Sequence, residues 1–506
     1  MPSFRILFTV AGLLAAYLGY SQNATDALRF SSFDVVGSSR FIGSGSSLSA
    51  LGTEFSVLST NPAGLALYRS SELVVTPAYQ FSSTRSTLEG AFFPDDPGTL
   101  LDNFSNGAVK DTKGAFALNN LGFVVHSQPR SRIFTTFNFG VGLNKLANFN
   151  QAYTYRGSSV GSIVERWQEF ANEYGVDPND NVYEESLALQ TDALFYDEQQ
   201  DFYFTDYDAT LDPDFIGAPV WREQTVDIEG SMSELVFSLG ANVKEMVMVG
   251  LTIGVPILNY RVDRSYAETD PDDLVPFFED LSFEESIRTT GQGINAKLGL
   301  IFRASQALRF GLAVHSPSSI TLNDESSFGI GYTYTEQGQT KASFAESDRL
   351  TYAYRLNTPW RFFGSAGFLF GKSGFLSAEV EFVDYSSNAF RFRDYPQDEQ
   401  IANEDISTSL SSVVNVRLGG EFAYKVFRAR AGVGLMPSAY EGSSDLNPTL
   451  SGGLGVRLNS FFVDLAYRYR TESSGLVPYG TFYAPQQFID QKATYQTFFL
   501  SVGVRY

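Results

Sequence analysis

Large apolar residues recur at every second position through most of the chain after residue 72. Between residues 133 and 143 the odd positions carry Ile133, Phe137 and Phe139, whereas the even positions carry Asn138 and Gly140. A period of two is the pattern of a β-strand, because successive side chains point to opposite faces of a sheet. The pattern predicts an all-β region with one apolar face and one face of small, polar and charged residues.

Fourteen segments of this kind can be counted, an even number, as in single-chain bacterial barrels. The predicted strands are 72–84, 115–127, 132–144, 232–243, 246–260, 288–302, 307–321, 354–370, 375–387, 412–424, 427–438, 450–458, 460–471 and 493–506. Short connections, which alternate with long polar ones, are predicted at 127–131, 244–245, 303–307, 371–374, 425–426 and 459. Pro359 lies inside the eighth segment and is expected to mark a bulge or kink, since proline cannot donate to the ladder.

The alternation fits a soluble sandwich as well as a membrane barrel, and the N-terminus favours the barrel. Arg5 precedes an apolar run over residues 6–18, and Gly19 and Ser21 follow as small residues, which is the pattern of a secretory signal sequence over residues 1–21. The alternative is a membrane anchor, but this run is too short to cross ~30 Å of hydrocarbon. An exported chain with strands of ~9–11 residues or more and a last strand ending on Tyr506 indicates a 14-stranded antiparallel transmembrane β-barrel.

Charge is concentrated in the long connections. The formal net charge is −21, which argues against nucleic acid as a partner because phosphate binding needs clustered Lys and Arg. Residues 161–230 hold eighteen Asp and Glu against two Arg, within a large acidic extracellular loop predicted at 145–231. The spacing of apolar residues over 163–174 indicates a short helix there. Acidic clusters at 177–180, 206–208 and 270–273 could bind Ca²⁺, although a solvated loop explains them as well. No other cofactor is expected.

Few residues are available for catalysis, and the chain is predicted not to be an enzyme. It has no Cys and two His. His315-Ser316 is the one candidate pair, and neighbours in a strand point to opposite faces.

The segment before the first strand, residues 22–71, does not alternate. It contains Gly37 and Arg40 in a run of small residues, and then the motif Asn61-Pro62-Ala63-Gly64, in which asparagine can cap a helix that begins at proline. With the signal sequence, the fourteen strands and Thr358-Pro359-Trp360-Arg361, this motif resembles the FadL family of outer-membrane transporters for long-chain fatty acids and other hydrophobic compounds, in a version common in Bacteroidetes.

The resemblance implies a fold, a place and a function. Residues 22–71 would form a plug containing short helices inside a barrel over residues 72–506, in the bacterial outer membrane. Hydrophobic, fatty-acid-like molecules or lipids would be taken up passively, and they would leave sideways through the wall at a kink in strand 3. Asn138, Gly140 and Gly142 lie on the lumen face of that strand and permit a bend; the alternative is that they make room for the plug.

Two further questions stay open at this level. Arg428 and Arg430 lie two residues apart on the lumen face and could hold a ligand carboxylate, or they could belong to an ion-pair network with acidic residues of the wall. The expected surroundings are the outer-membrane bilayer and its lipopolysaccharide, and the acidic loops could contact other outer-membrane proteins. The alternative function is therefore an accessory barrel subunit of a secretion or assembly complex.

Overall fold

A computed structural model describes residues 23–34, 36–102, 104–210 and 218–506, so that the predicted signal sequence lies outside the described residues. In chain order the strands are β1 (Glu72–Phe92), β2 (Val109–Val125), β3 (Phe134–Asn148), β4 (Gln151–Val160), β5 (Phe195–Asp197), β6 (Phe202–Phe204), β7 (Pro219–Val243), β8 (Val247–Thr269), β9 (Phe278–Arg303), β10 (Leu308–His315), β11 (Ser319–Glu336), β12 (Gln339–Glu346), β13 (Leu350–Asn357), β14 (Arg361–Leu369), β15 (Gly374–Asp384), β16 (Ala389–Arg391), β17 (Ser412–Tyr424), β18 (Phe427–Pro437), β19 (Leu446–Arg457), β20 (Phe461–Leu476) and β21 (Gln486–Arg505).

Fourteen of these strands close into an antiparallel barrel, as the alternation predicted. Each pairs with the next in the order β1, β2, β3, β7, β8, β9, β10, β14, β15, β17, β18, β19, β20 and β21, and β21 pairs back to β1. The outward side chains of the wall are apolar and exposed, as Phe237, Leu239 and Leu251 illustrate at 39–43% exposure. An apolar belt facing outward is what a membrane barrel requires.

The short connections lie where the sequence places them, at one end of the barrel. The turn between β7 and β8 contains Lys244 and Glu245, whose φ angles are 51° and 55°. Two successive residues with positive φ are typical of the type I′ turn that joins twisted antiparallel strands. By the resemblance this end faces the periplasm; it is called the lower end here, and the opposite end the upper end.

At the upper end the strands are longer than predicted. β4 and the first part of β7 pair with each other from Gln151↔Ile228 to Val160↔Pro219. The acidic loop expected at 145–231 is therefore confined to residues 161–218, since polar side chains on both faces do not prevent pairing above the apolar belt. Pro359 falls in the break between β13 and β14, and Pro317 in the break between β10 and β11, so that both prolines interrupt the wall as proline is expected to do.

Helices occupy the interior and the upper loops. The α-helices are α1 (Ala24–Ser31), α2 (Ser39–Gly43), α3 (Ile163–Tyr174), α4 (Glu184–Gln190) and α5 (Pro396–Ser409), and 3₁₀ helices occur at Phe55–Ser59, Pro62–Leu67, Asp206–Thr210 and Tyr385–Ser387. The helix expected at 163–174 is confirmed as α3, which begins with a capping box between Ser162 and Glu165. In the described part of the chain, helices are too short or too polar to cross a membrane.

Candidate functional site

The N-terminal segment, residues 23–68, lies inside the barrel. Gly43 lies so close to the wall that a Cβ there would be 3.3 Å from the Cα of Gly453. Lumen-facing glycines that touch this segment come from strands all around the wall: Gly122, Gly140, Gly240, Gly250, Gly299, Gly367, Gly419, Gly432 and Gly453. Glycine permits such an approach because it has no side chain.

The Asn61-Pro62-Ala63-Gly64 motif fastens the segment to the wall. Pro62 begins a 3₁₀ helix, and the Asn61 Oδ1 accepts the backbone N–H of Ala63 at 3.1 Å. The Asn61 Nδ2 donates to the carbonyl oxygen of Leu300 in β9 at 3.2 Å. Gly64 packs on a second turn of the segment, where its own Cβ would be 3.0 Å from the Cα of Gly52. One asparagine therefore both caps the helix and ties it to the barrel.

Arg40 joins another part of the segment to a different part of the wall. Its Nη1 donates to the carbonyl oxygen of Thr53 at 2.9 Å, and its Nε lies 3.4 Å from the Oε2 of Glu421 in β17. The guanidinium also lies over the ring of Phe375 in β15. These contacts connect two turns of the segment to two adjacent strands.

Arg428 and Arg430 lie in an ion-pair network near the lower end. The Arg430 Nε lies 2.6 Å from Glu421, and its Nη1 lies 2.7 Å from Asp464. The Arg428 Nη1 donates to the carbonyl oxygen of Lys425 at 2.8 Å, within the lower turn itself. The ion-pair alternative is thus the arrangement present, because the charge of Arg430 is already balanced by two buried carboxylates.

Asn138, Gly140 and Gly142 pack against the N-terminal segment rather than along an opening. The Asn138 Nδ2 donates to the carbonyl oxygens of Leu65 at 2.8 Å and Tyr68 at 3.1 Å. Gly140 and Gly142 are both paired with β2 in the regular ladder. These three residues therefore make room for the segment, and the discontinuity in strand 3 lies further up the wall.

That discontinuity begins where β2 separates from β3. Backbone pairing between them covers Asn120–Val125 of β2 and ends at the pair Asn120↔Asn144. Strand 3 then turns inward at residues 149–150, and β4 continues inside the wall, where the Gln151 Nε2 donates to Thr84 of β1 at 3.1 Å. We call the boundary between residues 109–119 of β2 and the strands β4 and β7 the seam.

Polar side chains bridge the seam where the backbone ladder does not. The Asp111 Oδ2 accepts the backbone N–H of Thr154 at 2.7 Å. The Lys113 Nζ donates to the carbonyl oxygen of Ile228 at 3.2 Å and forms ion pairs with Asp227 and Glu229. On β7 the outward residues here are acidic, so the seam lies at the polar margin of the apolar belt. The seam was not predicted from the sequence; Gly230, with a φ of 123° in the middle of β7, is a local signal of it.

A cavity of about 1750 Å³ fills the upper half of the barrel. Its floor is α1 together with Phe33 and Asp34, and its walls are the upper parts of the strands. Nineteen Phe and Tyr residues line it, and Phe30, Phe149 and Tyr260 form an edge-to-face cluster with centroid separations of 5.5–6.2 Å. Such a lining offers a large aromatic surface to a molecule with an apolar body.

The acidic loop covers one side of the cavity and is tied to its own barrel. Arg222 of β7 is fully buried and donates to the carbonyl oxygens of Ser159 at 2.8 Å and of Gly161, to the hydroxyl of Tyr479 at 3.0 Å, and to Glu268 at 3.4 Å. Trp167 of α3 is fully buried in an apolar cluster that the loop shares with the wall, and its ring centroid lies 5.7 Å from that of Phe283 in β9. Buried charges hold only when they are paired and hydrogen-bonded, and this network meets that condition.

Two loop carboxyl groups titrate near neutrality. Burial raises the pKa of Glu165, in the first turn of α3, to about 8, and burial together with the neighbouring Glu184 raises the pKa of Glu185 in α4 to about 7. Another carboxylate of the loop, Glu169, accepts the backbone N–H groups of Tyr483 at 2.9 Å and Ala484 at 2.7 Å in the loop before β21. The packing of the loop is therefore coupled to proton uptake.

Below the cavity, charged residues of both signs form a buried layer between the N-terminal segment and the wall. Glu234 pairs with Lys297 and accepts the hydroxyl of Ser59 at 2.9 Å. The His315 Nε2 lies 2.7 Å from the carbonyl oxygen of Thr60, whereas the Ser316 hydroxyl donates to Pro317. His315 and Ser316 thus serve separate contacts. The remaining members of the layer are Asn295, Arg361, Glu379, Glu381 and Arg417.

The acidic clusters that could bind Ca²⁺ form turns of the upper loops. The Asp177 Oδ1 accepts the backbone N–H of Asn179 at 2.9 Å, and the Asp180 Oδ1 accepts that of Val182 at 2.8 Å. Within the residues that the structure describes, no group of three or more His, Asp or Glu is placed to hold a metal ion. A calcium site therefore stays a prediction without a located ligand set.

Comparison with solved structures identifies the fold. The structure of a Pseudomonas aeruginosa FadL homologue matches with a TM-score of 0.55 and 12% identity, over 93% of this chain and 99% of that one. The Ralstonia pickettii toluene transporter TbuX matches over 93% of this chain and 98% of that one, with a TM-score of 0.47 and 12% identity. No protein-family profile and no curated protein sequence matches the chain. The barrel fold expected from the resemblance is confirmed.

Proposed function

We propose that this protein is an outer-membrane channel for the passive uptake of hydrophobic molecules. The observation that carries the proposal is the cavity of about 1750 Å³ with nineteen aromatic residues in its lining, at the upper end of a barrel with an apolar outer belt. A water-filled pore for small polar solutes has no use for such a lining, whereas burial of apolar surface favours molecules that leave water readily.

The route out of the cavity leads sideways through the seam. The lower lumen is filled by residues 23–68, whose contacts with lumen glycines reach strands on all sides of the wall. A molecule in the cavity therefore has no straight path downward. At the seam the ladder between β2 and β3 has ended, and side-chain contacts such as those of Asp111 and Lys113 replace it. A few exposed polar contacts open at lower cost than a continuous ladder.

An engineered disulfide tests the route. The chain has no Cys, so that Asp111→Cys with Thr154→Cys introduces a single thiol pair across the seam, at two residues that the short Asp111 side chain already joins. Uptake of a hydrophobic probe, such as radiolabelled decane or a fluorescent alkane, into cells should fall on oxidation and recover on reduction. The control pair is Thr154→Cys with Thr225→Cys, whose hydroxyls lie 3.3 Å apart in the existing ladder of β4 and β7; its oxidation should leave uptake unchanged.

The outcomes separate the two parts of the proposal. Full uptake by the oxidised seam variant would exclude lateral release, while the channel function would stand. Equal uptake by cells with and without the protein would exclude the channel itself. The accessory-subunit alternative rested on the acidic loop as a docking surface, and that loop packs against its own barrel through Arg222 and Glu169.

A further inference from the structure

The charge of the cavity lining points away from a fatty-acid anion. The lining contains eleven Asp and Glu but five Arg, a formal excess of six negative charges. Glu185 carries only part of its charge at pH 7, because its pKa is raised to about 7, and the excess remains at least five. An anionic head group entering this cavity would meet like charge, whereas a cationic one would meet opposite charge.

The arginines near the floor are already paired. Asp34 lies 2.7 Å from the Arg468 Nη1, and it also pairs with Arg470, which lies 3.0 Å from Glu472. Arg29 of α1 pairs with its neighbour Asp26. A carboxylate ligand would have to displace one of these partners.

The two arginines of the walls are paired as well. Arg264 of β8 forms an ion pair with Glu285 of β9, and Arg166 of α3 lies 3.5 Å from Glu184 of α4. Every arginine that lines the cavity thus has a carboxylate within ion-pair distance. An anionic ligand would therefore find each of these arginines already paired.

One corner of the cavity combines aromatic faces with carboxylates. Tyr352 lies 5.8 Å from Tyr354, 5.8 Å from Phe392 and 5.9 Å from Tyr395, measured between ring centroids. Asp324 accepts the hydroxyl of Tyr354 at 3.0 Å. Asp398, in the first turn of α5, lines the cavity together with these four rings.

We propose that this aromatic corner, formed by Tyr352, Tyr354, Phe392, Tyr395, Asp324 and Asp398, binds the ammonium group of an amphiphilic organic cation whose apolar body lies in the rest of the cavity. Ring faces attract ammonium groups through their quadrupoles, and neighbouring carboxylates add charge complementarity. The inference rests on the proposed channel function and specifies the class of molecule that the channel takes up. The charge of the head group, rather than apolar area alone, decides which hydrophobic molecule is bound.

Three probes with the same body test the preference. Phenylbutyl-trimethylammonium, phenylbutanol and phenylbutyrate differ in the charge of the head group. Binding to the full protein in lipid nanodiscs is measured by equilibrium dialysis, with empty nanodiscs subtracted. The ammonium probe is expected to bind about tenfold more tightly than the alcohol, and the carboxylate more weakly than the alcohol, with the difference shrinking in high salt. Equal or tighter binding of phenylbutyrate would overturn the proposal.

Variants locate the head group. Tyr352→Leu removes a cation–π contact and Asp398→Asn removes an opposite charge. Each should weaken binding of the ammonium probe about fivefold and leave binding of phenylbutanol unchanged. Asp445→Asn removes a carboxylate elsewhere in the same lining and should have the smaller effect. Equal losses at Asp398 and Asp445 would overturn the assignment to the corner. If all three probes bind equally well, this inference is wrong and the proposed function stands. If none of the three probes binds, the proposed function is wrong.

Discussion

The lower and upper halves of the barrel share one wall and have opposite interiors. In the lower half the lumen face carries glycines, and the N-terminal segment packs on them with backbone contacts such as Gly43 on Gly453. In the upper half the same strands carry Tyr260, Tyr266 and other rings on that face, and they surround a cavity of about 1750 Å³. The size of the inward side chains therefore decides whether the lumen is filled by the chain itself or left open for a ligand.

Charge follows the same division. In the lower half, buried ion pairs such as Arg430 with Asp464 join neighbouring strands. In the upper half, acidic residues exceed basic ones, and the loop that covers the cavity holds carboxyl groups that titrate near neutrality. The contacts of the lower half therefore keep the lumen closed, whereas contacts of the upper half can change with pH.

The largest effect should come from filling a lower-half glycine. A Cβ on Gly250 would overlap the backbone of Pro62, so Gly250→Val should displace the 3₁₀ helix and open the lumen, at a cost of at least ~1–3 kcal/mol for overpacking. Single-channel conductance in a planar bilayer should rise from near zero to a measurable leak. Gly364→Val is the control, since a Cβ on Gly364 meets nothing within 4 Å. A closed Gly250→Val channel would show that the segment does not fill the lumen.

The next effect concerns the loop above the cavity. Arg222→Ala leaves Glu268 buried without its partner, which typically costs about 3–5 kcal/mol, and should expose the loop to limited proteolysis while the barrel still shifts its gel mobility on boiling. Arg156→Ala removes a half-exposed pair with Glu223 one ladder position away, worth about 0–1 kcal/mol. If both variants are cleaved at the native rate, Arg222 does not hold the loop.

A milder loosening of the lower half should follow from loss of two polar anchors. Asn61→Ala removes a cap worth ~0.5–2 kcal/mol and the bond to Leu300, and Arg40→Ala removes the link to Glu421. The double variant should assemble normally, because the fourteen strands still pair into a closed ring below the seam, and it should leak in the bilayer less than Gly250→Val. Conductance as low as that of the native protein would contradict the anchoring role of both residues.

The smallest effect is a pH dependence confined to the upper half. A carboxyl group whose pKa is raised in the folded state adds stability at pH below its unfolded value of 4.5, and this stability is lost as pH rises through about 8 for Glu165. Loop opening should therefore be less frequent at pH 5.5 than at pH 8.5. The hydrogen-exchange protection factors of α3, which correct for the faster intrinsic exchange at high pH, should be larger at pH 5.5, with those of the lower half unchanged. Glu165→Gln keeps the capping box and should flatten this dependence; an unaltered profile would assign it to other groups.

Single elements show which parts of the fold could be predicted from the sequence. The strand at 412–424 and the helix at 163–174 were located to the residue, because a period of two and a period of 3.6 are local properties of the chain. The alternating turn lengths predicted which strands form hairpins, since two antiparallel strands joined by a short turn pair with each other. Asn61 and Pro62 predicted the start of their helix, because capping depends on neighbouring residues and needs no distant partner.

Other features depended on contacts that no local pattern contains. Gly140 and Gly142 were predicted either to permit a kink in strand 3 or to make room for the plug. Their neighbours are Leu58 and Phe55 of the N-terminal segment, and only the folded chain brings those together. The seam exists because β4 pairs with β7 and not with β2, and both of these partners lie far from β4 in the chain. The cavity and its acidic excess arise from residues scattered between Asn23 and Tyr495. The sequence by itself determined the strands, turns and closed wall through local periodicity, while the tertiary structure decided what fills the lumen, because packing joins residues far apart in the chain.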